Sequence, residues 1–368
     1  MGNCMTDLVN KLSANNSLSK DEFSELLKFR NNETTEYLFE KALLVKEKFY
    51  GKSIYLRGIV ELTNYCKNNC YYCGLRRDNI FIPRYRLDEK DLLGFCEAGY
   101  DRGVRSFMLV GGDDYNFTEA KVADFITMLK DKFSDCQIGL SLGQRSEKTY
   151  RKWFEAGAVR YELSHETAAE NHFKKLHPPE MSLLTRKQSL WELKSIGYQV
   201  GTGFMVGSPY QMVADVVEDL LFLKQLDPQI VHIVPFMPTI HTRFEHERSG
   251  NGDMTLYLMA IARLMLPRAM ITADTILDDV MQDGRKKSLE AGAGEINVEL
   301  CTDDIKEYYN VYNKKIHLKN FTGDDVERIK KKVVDSGFEI GQDNGDYIPV
   351  PEEELLYGRI HRLMRPQF

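Results

Sequence analysis

The sequence has no apolar run long enough to cross a bilayer, and its first residues lack the charged-then-apolar pattern of a secretory signal. A cytosolic protein with no membrane association is therefore expected. The opening MGNCMT fits a loose myristoylation pattern, but a pattern so short arises often by chance. No excess of one charge is present either. The 49 basic and 55 acidic residues are interspersed, for a formal net charge of −6, so no basic footprint for nucleic acid stands out. No low-complexity linker divides the chain, and no repeat is visible beyond the β/α unit. Cysteine is sparse: seven in 368 residues, an odd number that argues against a disulfide framework in a reducing compartment. What is present is a 43% hydrophobic fraction, enough for one large α/β domain or two smaller ones, in a composition suited to a small-molecule enzyme.

Residues 1–50 read as a helical lead-in. SLSKDEFSELLKF opens on a serine cap with an acidic first turn, and NNETTEYLFEKALLVKEKFYG has apolar residues at three- and four-residue spacing before Gly51. After it, β-rich runs alternate with amphipathic helical stretches. The runs are 55–62, 106–112, 137–143, 159–166, 199–207, 230–238, 270–277 and 295–300, with helices expected at 87–103, 117–133, 146–157, 184–196, 212–226, 253–266 and 280–291. Eight strands in unbroken alternation predict an α/β fold, a (β/α)8 TIM barrel over residues 51–302, in preference to an open doubly wound sheet. Residues 303–368 form an expected C-terminal tail packed on the barrel, with a helix in DDVERIKKKVVDSGF.

The one concentration of cysteine is in ELTNYCKNNCYYCGLRRDN, directly after the first β run, where Cys66, Cys70 and Cys73 follow a C-x3-C-x2-C spacing. Strict β-then-α alternation makes the strands parallel, so this loop opens on the face where barrels carry their chemistry. A structural zinc would want a fourth Cys or His nearby, and none follows locally. Three thiolates fit an iron–sulfur cubane with one iron left open; a zinc knuckle or redox thiols are the plainer alternatives. Cys4, Cys96, Cys136 and Cys301 read as inert thiols.

This spacing, with Tyr72 just before the last cysteine, resembles the signature of the radical S-adenosylmethionine (SAM) superfamily. The resemblance implies a [4Fe–4S] cluster held by Cys66, Cys70 and Cys73, with SAM on the open iron. Reductive cleavage there gives methionine and a 5′-deoxyadenosyl radical. The GGDD run, with Gly111, Gly112 and Asp113, resembles the glycine-rich motif that meets the methionine amino group. Over residues 50–300, segments such as RGIVELTNYCKNNCYYCGLRRDN, RYRL, RYELSHETA and GYQVGTGFMVGSPYQ resemble the HydE-like group, whose relatives include biotin synthase and methylornithine synthase. Carried over by position, Glu166 would meet the ribose hydroxyls of SAM, Arg186 its carboxylate, and Arg160 would clamp a substrate carboxylate inside the barrel. His232, in VHIVPF, alternates with apolar neighbours and is expected to point inward or to be a satisfied core histidine.

The departures from the group gather at the substrate end. Ser164 replaces a basic residue, Asp274–Thr275 replaces a threonine pair, and Val110, Gln144 and the Cys301 segment differ as well. Asp274 could face a substrate amine or a metal, or pair with Arg160; Cys301 could touch substrate or the radical, or be a small buried hydrophobe. No cysteine follows Cys301, so a second cluster is not expected. The expected activity is radical SAM chemistry on a small amino-acid-like or cysteine-bearing substrate, in [FeFe]-hydrogenase maturation or in a methylornithine-synthase-like rearrangement. The resemblance further implies a low-potential ferredoxin or flavodoxin as electron donor, with other maturation proteins as possible partners. An iron–sulfur carrier without catalysis is the reading of another class.

Overall fold

The computed structural model describes residues 2–309, 311 and 325–349, with the side chains of residues 2–4 left out. Of the expected tail, 310, 312–324 and 350–368 lie outside the described residues, as does the side chain of Cys4.

Three helices precede the barrel: α1 (Gly2–Asn15), α2 (Lys20–Lys28) and α3 (Asn32–Tyr50). Local chemistry starts and stops them. The Ser19 hydroxyl accepts from the Glu22 amide at 3.3 Å while the Glu22 carboxylate accepts from the Ser19 amide at 2.9 Å, a reciprocal cap for α2. Asn31 caps α3 at the Thr34 amide, 2.8 Å, and Gly51 ends it at a φ of 56°.

The barrel then runs β1 (Ser53–Thr63), α4 (Glu89–Asp101), β2 (Ser106–Gly111), α5 (Glu119–Lys132), β3 (Gln137–Ser141), α6 (Glu147–Glu155) and β4 (Ala158–Glu162). Next come α7 (Glu170–Leu176), α8 (Leu183–Ile196), β5 (Gln199–Val206), α9 (Val213–Leu226), β6 (Ile230–Pro235) and α10 (Gly252–Met265). β7 (Met270–Ala273), α11 (Ile276–Val280), α12 (Gly284–Glu290), β8 (Glu295–Glu299) and α13 (Asp303–Tyr308) follow. All neighbouring strands are parallel, and β1 pairs with both β2 and β8, which closes the ring. The expected eight-stranded barrel is therefore the fold, with every strand C-terminus on one face. The helix α7 was not expected: it is seven residues long and sits in the β4 connection beside a second, longer helix.

α10 is buried on almost every face because α1 and α3 cover its outer side, which explains its near-continuous apolar sequence. Farther along, α14 (Asp325–Asp335) leads to β9 (Glu339–Ile340), which pairs in parallel with the start of β1. The chain then crosses the barrel floor, where strands begin. Asp346 accepts hydrogen bonds from Gln137 and from Gln199, the latter at 2.7 Å, and Gly341 and Gly345 lie on the Tyr55 ring where a Cβ would meet it at 2.4 and 2.6 Å.

Candidate active site

The loop holding Cys66, Cys70 and Cys73 leaves the C-terminal end of β1 and has no regular structure, so other parts of the chain must hold it. Its amides are satisfied from three sides: Lys67 N–H by Asp113 O (2.9 Å), Tyr71 N–H by Leu176 O (2.9 Å) and Gly74 N–H by Val311 O (3.0 Å). Arg84 holds it from within, donating to the carbonyls of Leu75 (2.9 Å), Arg76 (2.8 Å), Asn79 (2.9 Å) and Asn64. The three thiols are free and half-buried. Burial raises the pKa of each, that of Cys70 to about 12; a Cys66 thiolate would further raise Cys70, and both would further raise Cys73. Among the described residues no three His, Cys, Asp or Glu side chains are arranged to hold one metal ion; a four-iron cluster asks for a different arrangement, one thiolate to each of three irons.

The expected cofactor residues separate into two sets. Gly111, Gly112 and Asp113 join strands to the cysteine loop. A Cβ on Gly112 would meet Tyr65 O at 2.1 Å and the Cys66 Cβ at 2.8 Å, and one on Gly111 would meet Thr63 at 2.9 Å, so glycine here is needed for the close approach of two backbones. Buried Asp113 is held by Lys67 at 3.0 Å and Arg145 at 2.7 Å and is not among the cavity-lining residues. Tyr72, Glu166 and Arg186 form the second set. Tyr72 and Glu166 line a cavity of about 300 Å³ inside the mouth of the barrel. Glu166 has a φ of 64° and is stitched to β5, its amide donating to Gly203 O at 3.0 Å and its carbonyl accepting from Met205 at 3.2 Å. That left-handed backbone is uncommon outside glycine, Asn and Asp, and the strand contacts hold it in place. The Tyr72 hydroxyl shares a 3.3 Å hydrogen bond with His177 Nε2. Burial raises the Glu166 pKa against the lowering effect of Arg186. Arg186 is buried on α8 and donates to Ser164 O at 2.8 Å, leaving its Nε–H without an acceptor. A buried guanidinium with an unmet donor fits an anionic ligand group.

The substrate-end residues are also divided. Ser164, Asp274 and Thr275 line the cavity, together with Arg57, Glu162, His232 and Asn297. Asp274 is not paired with Arg160. Its carboxylate accepts from His232 Nε2 at 3.0 Å, Asn297 Nδ2 at 2.7 Å and the Ile276 amide at 3.0 Å. Burial alone would push the Asp274 pKa up; these donors outweigh it and hold the carboxyl well below its ordinary value. For His232 burial favours the neutral ring, and the Asp274 hydrogen bond and charge overcome this to raise its pKa. Asn297 passes the network to Arg57, accepting from its Nε at 2.8 Å, and Arg57 is bound to Glu162 and lies 3.3 Å from Glu295.

Arg160 is inside the barrel but does not line the cavity. Its guanidinium lies at the floor, 3.2 Å from Glu295 and 3.1 Å from Ser106 Oγ, and donates to Gly345 O in the tail. The expected carboxylate clamp thus has its donors engaged by its own chain; Arg57 is the guanidinium at the cavity. Cys301 is 3% exposed and outside the lining, its sulfur accepting from the Glu61 amide at 3.3 Å, as a buried small hydrophobe would. Arg84 stands in the sequence only as the first residue of RYRL, with no role attached to it, and Arg57 reads there as one more polar residue in a β run.

A closed parallel barrel with a three-cysteine loop at its catalytic face defines a class, and comparison with known proteins agrees: residues 60–223 match the Radical SAM superfamily model. The chain belongs to this superfamily, in its HydE-like group. It is 35% identical over 298 residues to the [FeFe] hydrogenase maturase subunit HydE of Thermotoga maritima, an alignment covering 81% of this chain and 85% of that protein. It is 26% identical to the 3-methylornithine synthase of Methanosarcina acetivorans, over 92% of each chain. The fold matches crystallised methylornithine synthase (PylB) with a TM-score of 0.81 at 24% identity, over 91% of this chain and 97% of that one. The protein is a radical SAM enzyme, with the [4Fe–4S] cluster and SAM of that superfamily as its cofactors. Among the described residues no helix is long and apolar enough to cross a membrane.

Proposed function

We propose that this chain is a maturase-type radical SAM enzyme that acts on a small amino-acid-like or cysteine-bearing substrate in the assembly of the [FeFe]-hydrogenase active site. The observation that carries this reading is its 35% identity to a HydE maturase across 81% of the chain. In it, Cys66, Cys70 and Cys73 hold the cluster, and Arg186, with its unmet Nε–H, takes the SAM carboxylate. Glu166 presents two acceptor oxygens to the ribose diol, and Tyr72 packs beside it. When bound, the reduced cluster and SAM supply a 5′-deoxyadenosyl radical. The chain's part is to bind, orient and exclude. The cavity walls Val234, Phe236 and Met237 keep water from the reacting groups, while Arg57, His232 and Asp274 present a fixed polar edge on which a substrate is oriented. A low-potential ferredoxin or flavodoxin serves as electron donor.

A second reading, a carbon-skeleton rearrangement like that of methylornithine synthase, is favoured by one observation. The seventh-strand Asp274 lies in a continuous network with His232, Asn297 and Arg57, so the substrate edge is charged where the HydE-like pattern is expected to have a threonine pair.

Anaerobic reconstitution followed by dithionite and SAM should yield methionine and 5′-deoxyadenosine or an adenosylated product. Their absence with every candidate substrate and reductant would favour the iron–sulfur carrier. For the maturase role, the chain should replace the HydE component in an in vitro hydrogenase maturation assay. Formation of 3-methylornithine with no maturation activity would favour the second reading.

A further inference from the structure

Arg84 is no part of the expected site, yet few side chains in the fold are so fully used. It follows the cysteine loop by eleven residues, in a segment that runs back antiparallel to the end of β1: Arg86 bridges Thr63, and the Leu87 amide donates to Leu62 O at 2.8 Å. From there its guanidinium reaches carbonyls on both sides of the cysteines. Nη1 donates to Asn64, two residues before Cys66, and to Leu75, two residues after Cys73; Nη2 donates to Arg76 and Asn79. The four Nη hydrogens therefore close the entry and exit of the loop on one rigid plane. Two buried asparagines complete the ring: Asn79 Nδ2 donates to Gly74 O at 2.7 Å, and Asn64 accepts from the Tyr85 amide at 2.8 Å. The cation also acts favourably on Cys66 and Cys73 when they are thiolates.

We infer that Arg84 is a positioning residue for the iron–sulfur cluster: its guanidinium locks the loop into the shape in which Cys66, Cys70 and Cys73 converge, and keeps a positive charge beside the anionic cluster. The geometry requires guanidinium. A lysine ammonium directs three N–H groups from one point and cannot reach carbonyls spread across both limbs, whereas its charge would persist. The two parts of the role can thus be separated by substitution.

This inference rests on the proposed cysteine ligands. The test compares reconstituted wild type, Arg84→Lys, Arg84→Gln and the surface control Arg151→Gln under anaerobic conditions, reading iron content, iron release to a chelator and the cluster midpoint potential by spectroscopic titration. Groups that orient metal ligands commonly change metal affinity by about 10- to 100-fold. Both Arg84 variants should release iron at least about tenfold faster than wild type. The Gln variant should also titrate at a more negative potential, since reduction adds charge that the lost cation no longer offsets, while Lys should stay near wild type. The Lys variant keeps the measurement available if Gln does not fold. Iron release equal to wild type in the folded Arg84 variants would overturn the inference. Wild type that takes up no iron would instead overturn the ligand assignment.

Discussion

At the residue scale, the substrate end is decided by His232 and Asp274. Each favours the charge of the other, the carboxylate biasing the imidazole toward its protonated form and the imidazole, with Asn297 and the Ile276 amide, biasing the carboxyl toward its ionised form, both largely out of water. The His232 pKa is raised, so its share of stability is fully present below its ordinary value of 6.5 and is lost as the pH climbs through the raised one. The Asp274 pKa is depressed, so its share is present above its ordinary 3.8 and is lost as the pH falls through the depressed value. Between these limits Asp274→Asn should destabilise the fold by about 2 kcal/mol, read as a drop in denaturant midpoint. The loss should be larger at about pH 5.5 than at about pH 9, and equal losses at the two would refute the pairing. The sequence disclosed the cysteine spacing and an inward His232, because strand alternation and loop spacing are local properties. It did not disclose which arginine meets the cavity. Arg57 and Arg160 both point into the barrel, and the layer each reaches is set by strand stagger and by partners such as Glu295, 135 residues from Arg160.

At the scale of elements, the eight β/α units were legible because most long helices carry side-chain caps, as at Asp88, Thr118, Ser146 and Ser182, and each strand its own apolar run. Four short elements were not: α7, α11, α13 and β9. The α7 helix is too short for a periodic signal, and β9 is two residues long and exists only because β1 offers an unpaired edge below the barrel. That edge strand, with Gly345 and Asp346, makes the tail a part of the barrel floor. Asp346→Ala removes an exposed acceptor used by both Gln137 and Gln199 and should cost about 0.5–1.5 kcal/mol. Amide exchange at Glu339 and Gly341, which donate to Lys52 and Ile54 at 3.0 and 2.9 Å, should quicken. Unchanged exchange at both amides would mean that the floor is held without Asp346.

At the scale of the whole molecule, the barrel is closed at one end by its own chain and carries its cavity at the other. The cysteine loop touches the turn after β2, the end of α7 and the residues after α13, so filling it with a cluster ties together parts far apart in sequence. Binding that occurs only in the folded state adds to its stability. Anaerobically reconstituted protein should therefore melt several degrees above the same protein stripped by a chelator, roughly the shift that about 1–2 kcal/mol produces in a chain of this size. Superimposable melting curves would show that the loop is formed equally well without iron.

The floor has a consequence in time. Ribosomes release a chain from its N-terminus, so Gly345 and Asp346 emerge after all eight barrel strands. Until then Arg160 lacks its tail carbonyl and β1 lacks its outer neighbour. The cysteine loop, made before seven of the eight barrel strands, thus waits on residues that follow all of them before the vessel beneath it has a bottom.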